Sequence, residues 1–284
     1  DSLEQARLCF ALFKELETAG DAAAAWDALM QGAGIMRGKL GHDIGQEKKR
    51  LARLKAFHCD PIEAGRGEAD GQPVPIFIVG MPRTGTTLLD RILGNHPRIV
   101  SLGERNDFDA AISEASDHFF PGSLAETSWD KLRAMDHRKA GALYLQRVSP
   151  FVHGDGFFID KNPQNFFNIG LILRALPQAR ILCLRRDPMD ACFSNLKEMF
   201  EGGAYPYSYG LQELAAHNGV FEGLLAHWQR IAPESVHVVR YEDIVVDGEE
   251  TSRKALDFCG LQAVPGLLDI TANPAPVTTA SSSQ

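Results

Sequence analysis

Apolar residues recur along this chain with two different periods. From Leu3 to about Arg37 they fall at helical spacing, as in Ala6, Phe10, Leu12 and Leu16 and again in Ala25, Trp26 and Leu29. The break at Ala19-Gly20-Asp21 ends one helix and starts the next, because glycine accepts the backbone of a helix C-terminus and aspartate receives N–H groups at a helix start. The spacing therefore predicts a helical hairpin, followed by a charged third helix from about Asp43 to Phe57. Gly65-Arg66-Gly67-Glu68-Ala69-Asp70-Gly71-Gln72-Pro73 reads as a linker. Trp26, Trp129 and Trp228 fall in helical patterns and are expected to pack.

Beyond the linker the period changes. Short apolar runs at Ile76–Val79, Ile99–Leu102, Phe157–Ile159, Arg180–Leu184 and Val236–Val239 predict strands, with helical patterns between them. Such alternation implies a parallel sheet covered on both faces. The expected fold class is α/β, a P-loop-like parallel sheet flanked by helices with an N-terminal helical appendage. Its domains are predicted as 1–64 for the appendage and 74–284 for the sheet domain. In these sheets ligands bind beyond the carboxyl ends of strands. The chemically informative loops all stand there: Gly80–Thr87, Gly103-Glu104-Arg105, Asp160-Lys161-Asn162-Pro163, Arg185-Arg186-Asp187-Pro188 and Arg240-Tyr241-Glu242-Asp243.

Composition narrows the partners. A chain of 284 residues that is 44% hydrophobic can bury a substantial core. A net charge of −8 argues against a broad nucleic-acid or acidic-membrane surface, so an anion site must be a local pocket. Five scattered cysteines (Cys9, Cys59, Cys183, Cys192, Cys259) predict reduced thiols and a cytoplasmic location. No run approaches about eighteen apolar residues, and the start at Asp1 lacks a basic stretch followed by an apolar one, so neither a membrane span nor a signal peptide is expected. No histidine and cysteine spacing suits a metal site, and no metal is expected. The first residue is not methionine and the last are Ser281-Ser282-Ser283-Gln284, which leaves either end open to being cut from a longer protein.

The segment Val79-Gly80-Met81-Pro82-Arg83-Thr84-Gly85-Thr86-Thr87 carries the most chemistry. Its glycine spacing copies the phosphate loop G-x-x-x-x-G-K-[ST], except that Thr86 stands in place of the lysine and Arg83 supplies charge inside the loop. A loop entering a helix presents unpaired N–H groups and the positive end of the helix dipole, and Gly80 and Gly85 let the backbone close around a tetrahedral anion. Thr84, Thr86 and Thr87 add hydroxyl donors. A plain strand–turn–helix connection is the alternative. A nucleoside-triphosphate enzyme would need the lysine and a carboxylate for Mg²⁺, so the exchange favours a less highly charged donor handled without metal.

That loop, with Arg186-Asp187-Pro188-Met189-Asp190-Ala191-Cys192-Phe193-Ser194 about a hundred residues later, resembles the two donor-binding signatures of sulfotransferases. The resemblance covers about residues 74–284. It is strongest toward bacterial tetratricopeptide-repeat sulfotransferases and tyrosylprotein sulfotransferases, through Gly103-Glu104, Asp160-Lys161-Asn162-Pro163, Gly170-Leu171-Ile172 and Thr279-Ala280-Ser281-Ser282-Ser283-Gln284. It implies 3′-phosphoadenosine 5′-phosphosulfate as donor and 3′-phosphoadenosine 5′-phosphate as product. Arg83, Thr84, Gly85, Thr86 and Thr87 would then hold the 5′-phosphosulfate, Arg186 and Ser194 the 3′-phosphate, and Tyr241 would border adenine. Glu104 would be the base, and Lys161 and Arg83 would offset charge on the leaving oxygen. The family continues past the match to Thr279–Gln284 into a segment with a basic residue that closes over the 3′-phosphate, whereas here the chain stops.

Each residue also has a plainer reading. Arg186 closes an apolar strand, where a guanidinium suits a phosphate, or pairs with Asp187 or Asp190. Ser194 would lie about two turns into the next helix, a donor or a neutral surface residue. Glu104 could pair with Arg105 or cap a helix near Asn106, and Lys161 could pair only with Asp160. His96 and Pro97 are read as the end of the helix that begins in the loop. Phe200 to Tyr209, with two glycines and three tyrosines, reads as either a lid on the acceptor side or a surface loop. Two other functions stay open: a P-loop kinase-like phosphotransferase, and a non-catalytic scaffold. The hairpin pattern Ala6…Phe10-Ala11-Leu12…Leu16…Gly20-Asp21…Ala25-Trp26…Leu29 resembles one tetratricopeptide unit and suggests a protein partner. The acceptor is unassigned among peptide tyrosine, carbohydrate, lipid and small metabolite.

Overall fold

The computed structural model describes residues 2–63, 65, 73–120, 129–152 and 156–269. The linker expected from Gly65 to Pro73 and the terminal Thr279–Gln284 motif lie almost entirely or entirely outside them. The chain divides into two compact units, one of residues 1–52 with 187–222 and the other of 53–186 with 223–284. Of the helical appendage expected over 1–64, residues 1–52 share a unit with the distant segment 187–222, and residues 53–64 fall in the other unit.

In the first unit, α1 (Ser2–Ala19) and α2 (Ala22–Leu40) form the expected hairpin. Asp21 caps α2 by accepting the Ala24 N–H, and Gly20 takes φ +81° at the turn. The helices approach closely at Gly32, where a Cβ would fall 3.0 Å from Cys9 and 3.1 Å from Phe10. Trp26 departs from the packing role expected of it, with 42% of its surface exposed. Helix α3 (Ile44–Phe57) begins in this unit, and its Glu47 carboxylate is buried between His42 and His217. The Phe200–Tyr209 segment is exposed at Glu201, Gly202 and Ala204 and buried toward its end. Tyr207 and Tyr209 are buried, Tyr207 stacked on His217 with centroids 3.5 Å apart and Tyr209 edge-on to Phe10.

The second unit holds five parallel strands in the order β2-β3-β1-β4-β5. They are β1 (Val74–Gly80), β2 (Ile99–Ser101), β3 (Phe157–Lys161), β4 (Arg180–Arg185) and β5 (Val236–Arg240). Because β1 is central and buried on both faces, its sequence is a continuous apolar run rather than an alternating one. One face packs Ile76, Ile78, Leu182, Leu184 and Val239 against Leu89, Ile92 and Leu93 of α4 (Thr86–Leu93) and Leu256 of α12 (Gly248–Cys259). The other packs Phe77 against Phe108 of α5 (Asp107–Ser116) and Tyr144 of α7 (His137–Val148), at centroid distances of 5.9 and 5.7 Å. Helix α4 stops at Leu93, so His96 lies beyond it rather than ending it. His96 is buried, with Nε2 3.1 Å from the Gln262 carbonyl and Nδ1 accepting the Arg98 N–H. Trp129 starts α6 (Trp129–Ala134), and Trp228 is buried and donates to the Phe166 carbonyl at 3.1 Å. No helix among the described residues is long and apolar enough to cross a membrane.

Candidate active site

Strand order alone gathers the expected loops. The loop after β1 stands in the middle, the ends of β3 and β2 lie to one side, and those of β4 and β5 to the other. Ile78 pairs with Lys161 and Gly80 with Leu184, so the loop leaves the sheet between Lys161 and Arg186.

The loop is tightly constrained. Gly80 has φ +153°, and a Cβ there would sit 2.7 Å from the Leu184 carbonyl oxygen. Gly85 has φ +97°, and its Cβ would fall 2.6 Å from the Tyr241 ring. Arg83 is left-handed too, at φ +66°, a costly state for a side chain and one that concentrates at functional sites. Gly85 is the N-cap of α4 and no side chain caps the helix, so its opening N–H groups face the loop. Thr86 and Thr87 open α4, Thr86 buried and Thr87 half-buried. The buried hydroxyl of Thr84 donates to the Met81 carbonyl at 2.7 Å, a bond that closes the loop.

On the β4 side, Arg186 donates from Nη1 to the Arg83 carbonyl at 3.1 Å, and its guanidinium lies 4.5 Å from the centre of the Tyr241 ring. Tyr241, the first residue of α11 (Tyr241–Val246), is thus engaged by Gly85 and Arg186 and buttresses the loop. Ser194 lies on α9 (Pro188–Leu196), is 9% exposed and belongs to the first unit, whereas Arg186 belongs to the second.

On the β3 side, Lys161 is buried, with its side chain 1% exposed, and donates to Glu104 at 2.5 Å. The Glu104 side chain is 38% exposed. An ammonium out of water needs such a partner, because desolvating it alone costs several kcal/mol. The plainer pairings do not form: Arg105 pairs with Asp107, and Asp160 accepts the Tyr144 hydroxyl at 2.9 Å. The Lys161 N–H also donates to the Gly103 carbonyl at 3.0 Å, fixing the turn that carries Glu104. Burial pushes the Asp160 carboxyl up to about 7, against the lowering effect of the Tyr144 hydrogen bond. Burial likewise raises Asp109 to about 6, partly opposed by Asn168.

Arg83, Gly85, Thr86, Thr87, Glu104, Lys161, Arg186 and Tyr241 are therefore all at one end of one sheet. Among the described residues no group of histidine, cysteine, aspartate and glutamate could hold a metal. Sequence reasoning missed the Tyr144–Asp160 pair and Asp90, a carboxylate on the buried face of α4. A charged residue between Leu89 and Ile92 was the available signal for Asp90.

A family model described as "Sulfotransferase family" matches residues 75–265. An uncharacterised protein of Aquifex aeolicus (strain VF5) is 27% identical over 282 residues, 97% of this chain and 37% of that protein. A protein-tyrosine sulfotransferase of Drosophila melanogaster is 24% identical over 191 residues, 64% of this chain and 37% of that protein. The chain thus spans 37% of the length of each of these relatives. The crystal structure of a sulfotransferase from Mycobacterium tuberculosis H37Rv aligns with a TM-score of 0.47 at 17% identity, covering 88% of this chain and 93% of that one.

Proposed function

The chain belongs to the sulfotransferase family, and from that premise we propose that it moves a sulfuryl group from 3′-phosphoadenosine 5′-phosphosulfate to an acceptor hydroxyl, with Glu104 as the base. The observation that carries this reading is the Lys161–Glu104 pair at the strand end beside the Gly80–Thr87 loop. The residues present fit such a donor. A loop closed by two left-handed glycines enters a helix that no side chain caps, and an arginine guanidinium rests on the loop's own carbonyl.

When bound, the donor supplies the sulfuryl group and a phosphate able to leave. The N–H groups of the loop, with the Thr86 and Thr87 hydroxyls, hold that phosphate. Arg186 is assigned to the 3′-phosphate, since a guanidinium makes a bidentate hold on phosphate. The assignment of Ser194 rests on its sequence motif, and any contact of Tyr241 with adenine is secondary to its role under the loop. Glu104 takes the proton of the acceptor hydroxyl as that oxygen bonds to sulfur. Lys161 and Arg83 stabilise the phosphate oxygen from which sulfur departs. The α1–α2 hairpin, in this reading, is a tetratricopeptide-type docking element for a protein partner.

Transfer of labelled sulfate to a panel of peptide tyrosines, carbohydrates, lipids and small metabolites tests the reading. Peptide tyrosine is the first candidate, following the substrate named for the Drosophila relative. Transfer to at least one class is expected. Mg²⁺-dependent ATP turnover with no sulfate transfer would instead make the chain a phosphotransferase.

A further inference from the structure

A cavity of about 510 Å³ lies beside the turn that carries Glu104, between α5 and the segment that follows it. Asn106, Asp109 and Ala110 line it on the helix side, and Phe119 and Phe120 on the other. Asn106 is two residues beyond Glu104, so their Cα atoms are at most about 7 Å apart. The Asn162 amide donates to the Arg105 carbonyl at 3.4 Å, which ties this stretch to the end of β3. The volume is that of a small-molecule site.

No lysine, arginine or histidine stands among the described residues that line the cavity, so nothing there compensates an acidic acceptor. A cationic acceptor is not favoured either, because the carboxylates of the lining are already engaged. Glu114 pairs with Arg147 at 2.6 Å. Asp109 accepts the Asn168 amide at 3.2 Å and stands in the first turn of α5, where the helix dipole offsets negative charge. What remains is neutral hydrogen-bonding capacity beside an open ring. Asn106 is the N-cap of α5, yet its side chain makes no capping bond, and an amide both donates and accepts. Phe119 is 78% exposed, in a segment held by the Phe120 N–H, which donates to Ser113 Oγ at 3.0 Å.

We infer that this cavity holds the body of the acceptor and that the acceptor is an uncharged carbohydrate. The inference rests on the sulfotransferase reading of the site, and it moves carbohydrate ahead of peptide tyrosine in the acceptor panel. A sugar ring lays its C–H face on Phe119 and brings hydroxyls to Asn106 and Asp109. A phenol or a lipid chain would cover those groups and leave them unpaired. Sites built to bond substrate hydroxyls reject analogues that lack them by about 10⁴–10⁵-fold, far more than a gain or loss of one methylene achieves. In the transfer, one sugar hydroxyl oxygen bonds to sulfur as its proton passes to Glu104, and the bond from sulfur to the donor's phosphate oxygen breaks. The products are a sugar sulfate ester and 3′-phosphoadenosine 5′-phosphate.

Ligand-observed NMR on the chain loaded with 3′-phosphoadenosine 5′-phosphate tests this with three probes. They are a panel of neutral gluco-, galacto- and manno-oligosaccharides, a tyrosine peptide flanked by acidic residues, and tyramine, a cationic phenol. At least one neutral oligosaccharide is expected to bind, and to take labelled sulfate when the donor replaces the product. Asn106→Ala and Phe119→Ala should each weaken that binding by about fivefold or more, and leave the affinity for the nucleotide within about threefold. Three results would each overturn the inference alone: no neutral sugar bound, tighter binding of the acidic peptide or of tyramine, or sugar binding unchanged in both variants. No nucleotide binding by the unaltered chain would overturn the sulfotransferase reading, and this inference with it.

Discussion

Glu104 and Lys161 join an exposed charge to a buried one. The lysine is inaccessible and fixed by its own backbone bond to Gly103, while the carboxylate it holds is open to a substrate. Glu104→Gln keeps the shape and removes the proposed base, so transfer should fall about 10²–10⁴-fold with the affinity for 3′-phosphoadenosine 5′-phosphate unchanged. An equal fall in nucleotide affinity would place Glu104 in donor binding instead. At this scale the position of Arg83, Glu104, Lys161 and Arg186 beyond the carboxyl ends of the sheet was legible, because there a motif and a strand end coincide. The sequence was least legible where a side chain meets a partner far along the chain. Nothing near Tyr241 announces that its ring lies against Gly85, and nothing near Thr84 announces that its hydroxyl turns back to Met81.

At the scale of elements, the five strands were visible as apolar runs, but their carboxyl ends were not. Asp160 and Lys161 read as loop because they are charged, yet both continue the ladder, paired with Phe77 and Ile78. Parallel strands bury their ends under neighbouring loops, so polarity there marks chemistry and not the end of pairing. Helix α7 approaches α8 (Ile169–Ala175) at Gly141, where a Cβ would sit 2.1 Å from the Ala175 carbonyl oxygen. Gly141→Ala should destabilise the fold by about 1–3 kcal/mol, seen as a lowered midpoint in denaturant, despite alanine's better helix propensity.

The buried Asp160 gives the sheet a pH dependence. Its carboxyl titrates near its ordinary value of 3.8 when unfolded and at about 7 when folded, so between these the folded state binds the extra proton. Stability contributed by this group is therefore present at low pH and is lost as pH rises through that window, by up to about 1.4 kcal/mol per pH unit for one proton. Asp109, raised to about 6, acts in the same direction. Asp160→Asn keeps an acceptor for the Tyr144 hydroxyl, and should flatten the decline in unfolding free energy between pH 4 and 7. An unchanged slope would show that the native carboxyl is ionised throughout.

Across the whole molecule, the sequence separated a helical N-terminal region from a sheet domain, but not the membership of 187–222 in the first unit. That grouping depends on contacts such as Glu47 with His217 and Arg37 with Glu213, between segments no local pattern links. With a net charge of −8, the proposed anion recognition would rest on a few local groups. Arg186, resting on the Arg83 carbonyl and the Tyr241 ring, joins the loop to the end of β4. Removing a charged hydrogen-bond donor of this kind typically costs about 1.5–3 kcal/mol, or about 10- to 100-fold in affinity. Calorimetric titration of 3′-phosphoadenosine 5′-phosphate in the absence of metal, into the unaltered chain and Arg186→Ala, is the most direct test. One-to-one binding that weakens by at least about tenfold in Arg186→Ala is predicted, whereas no binding, or equal binding by both chains, would contradict a phosphosulfate site at this loop.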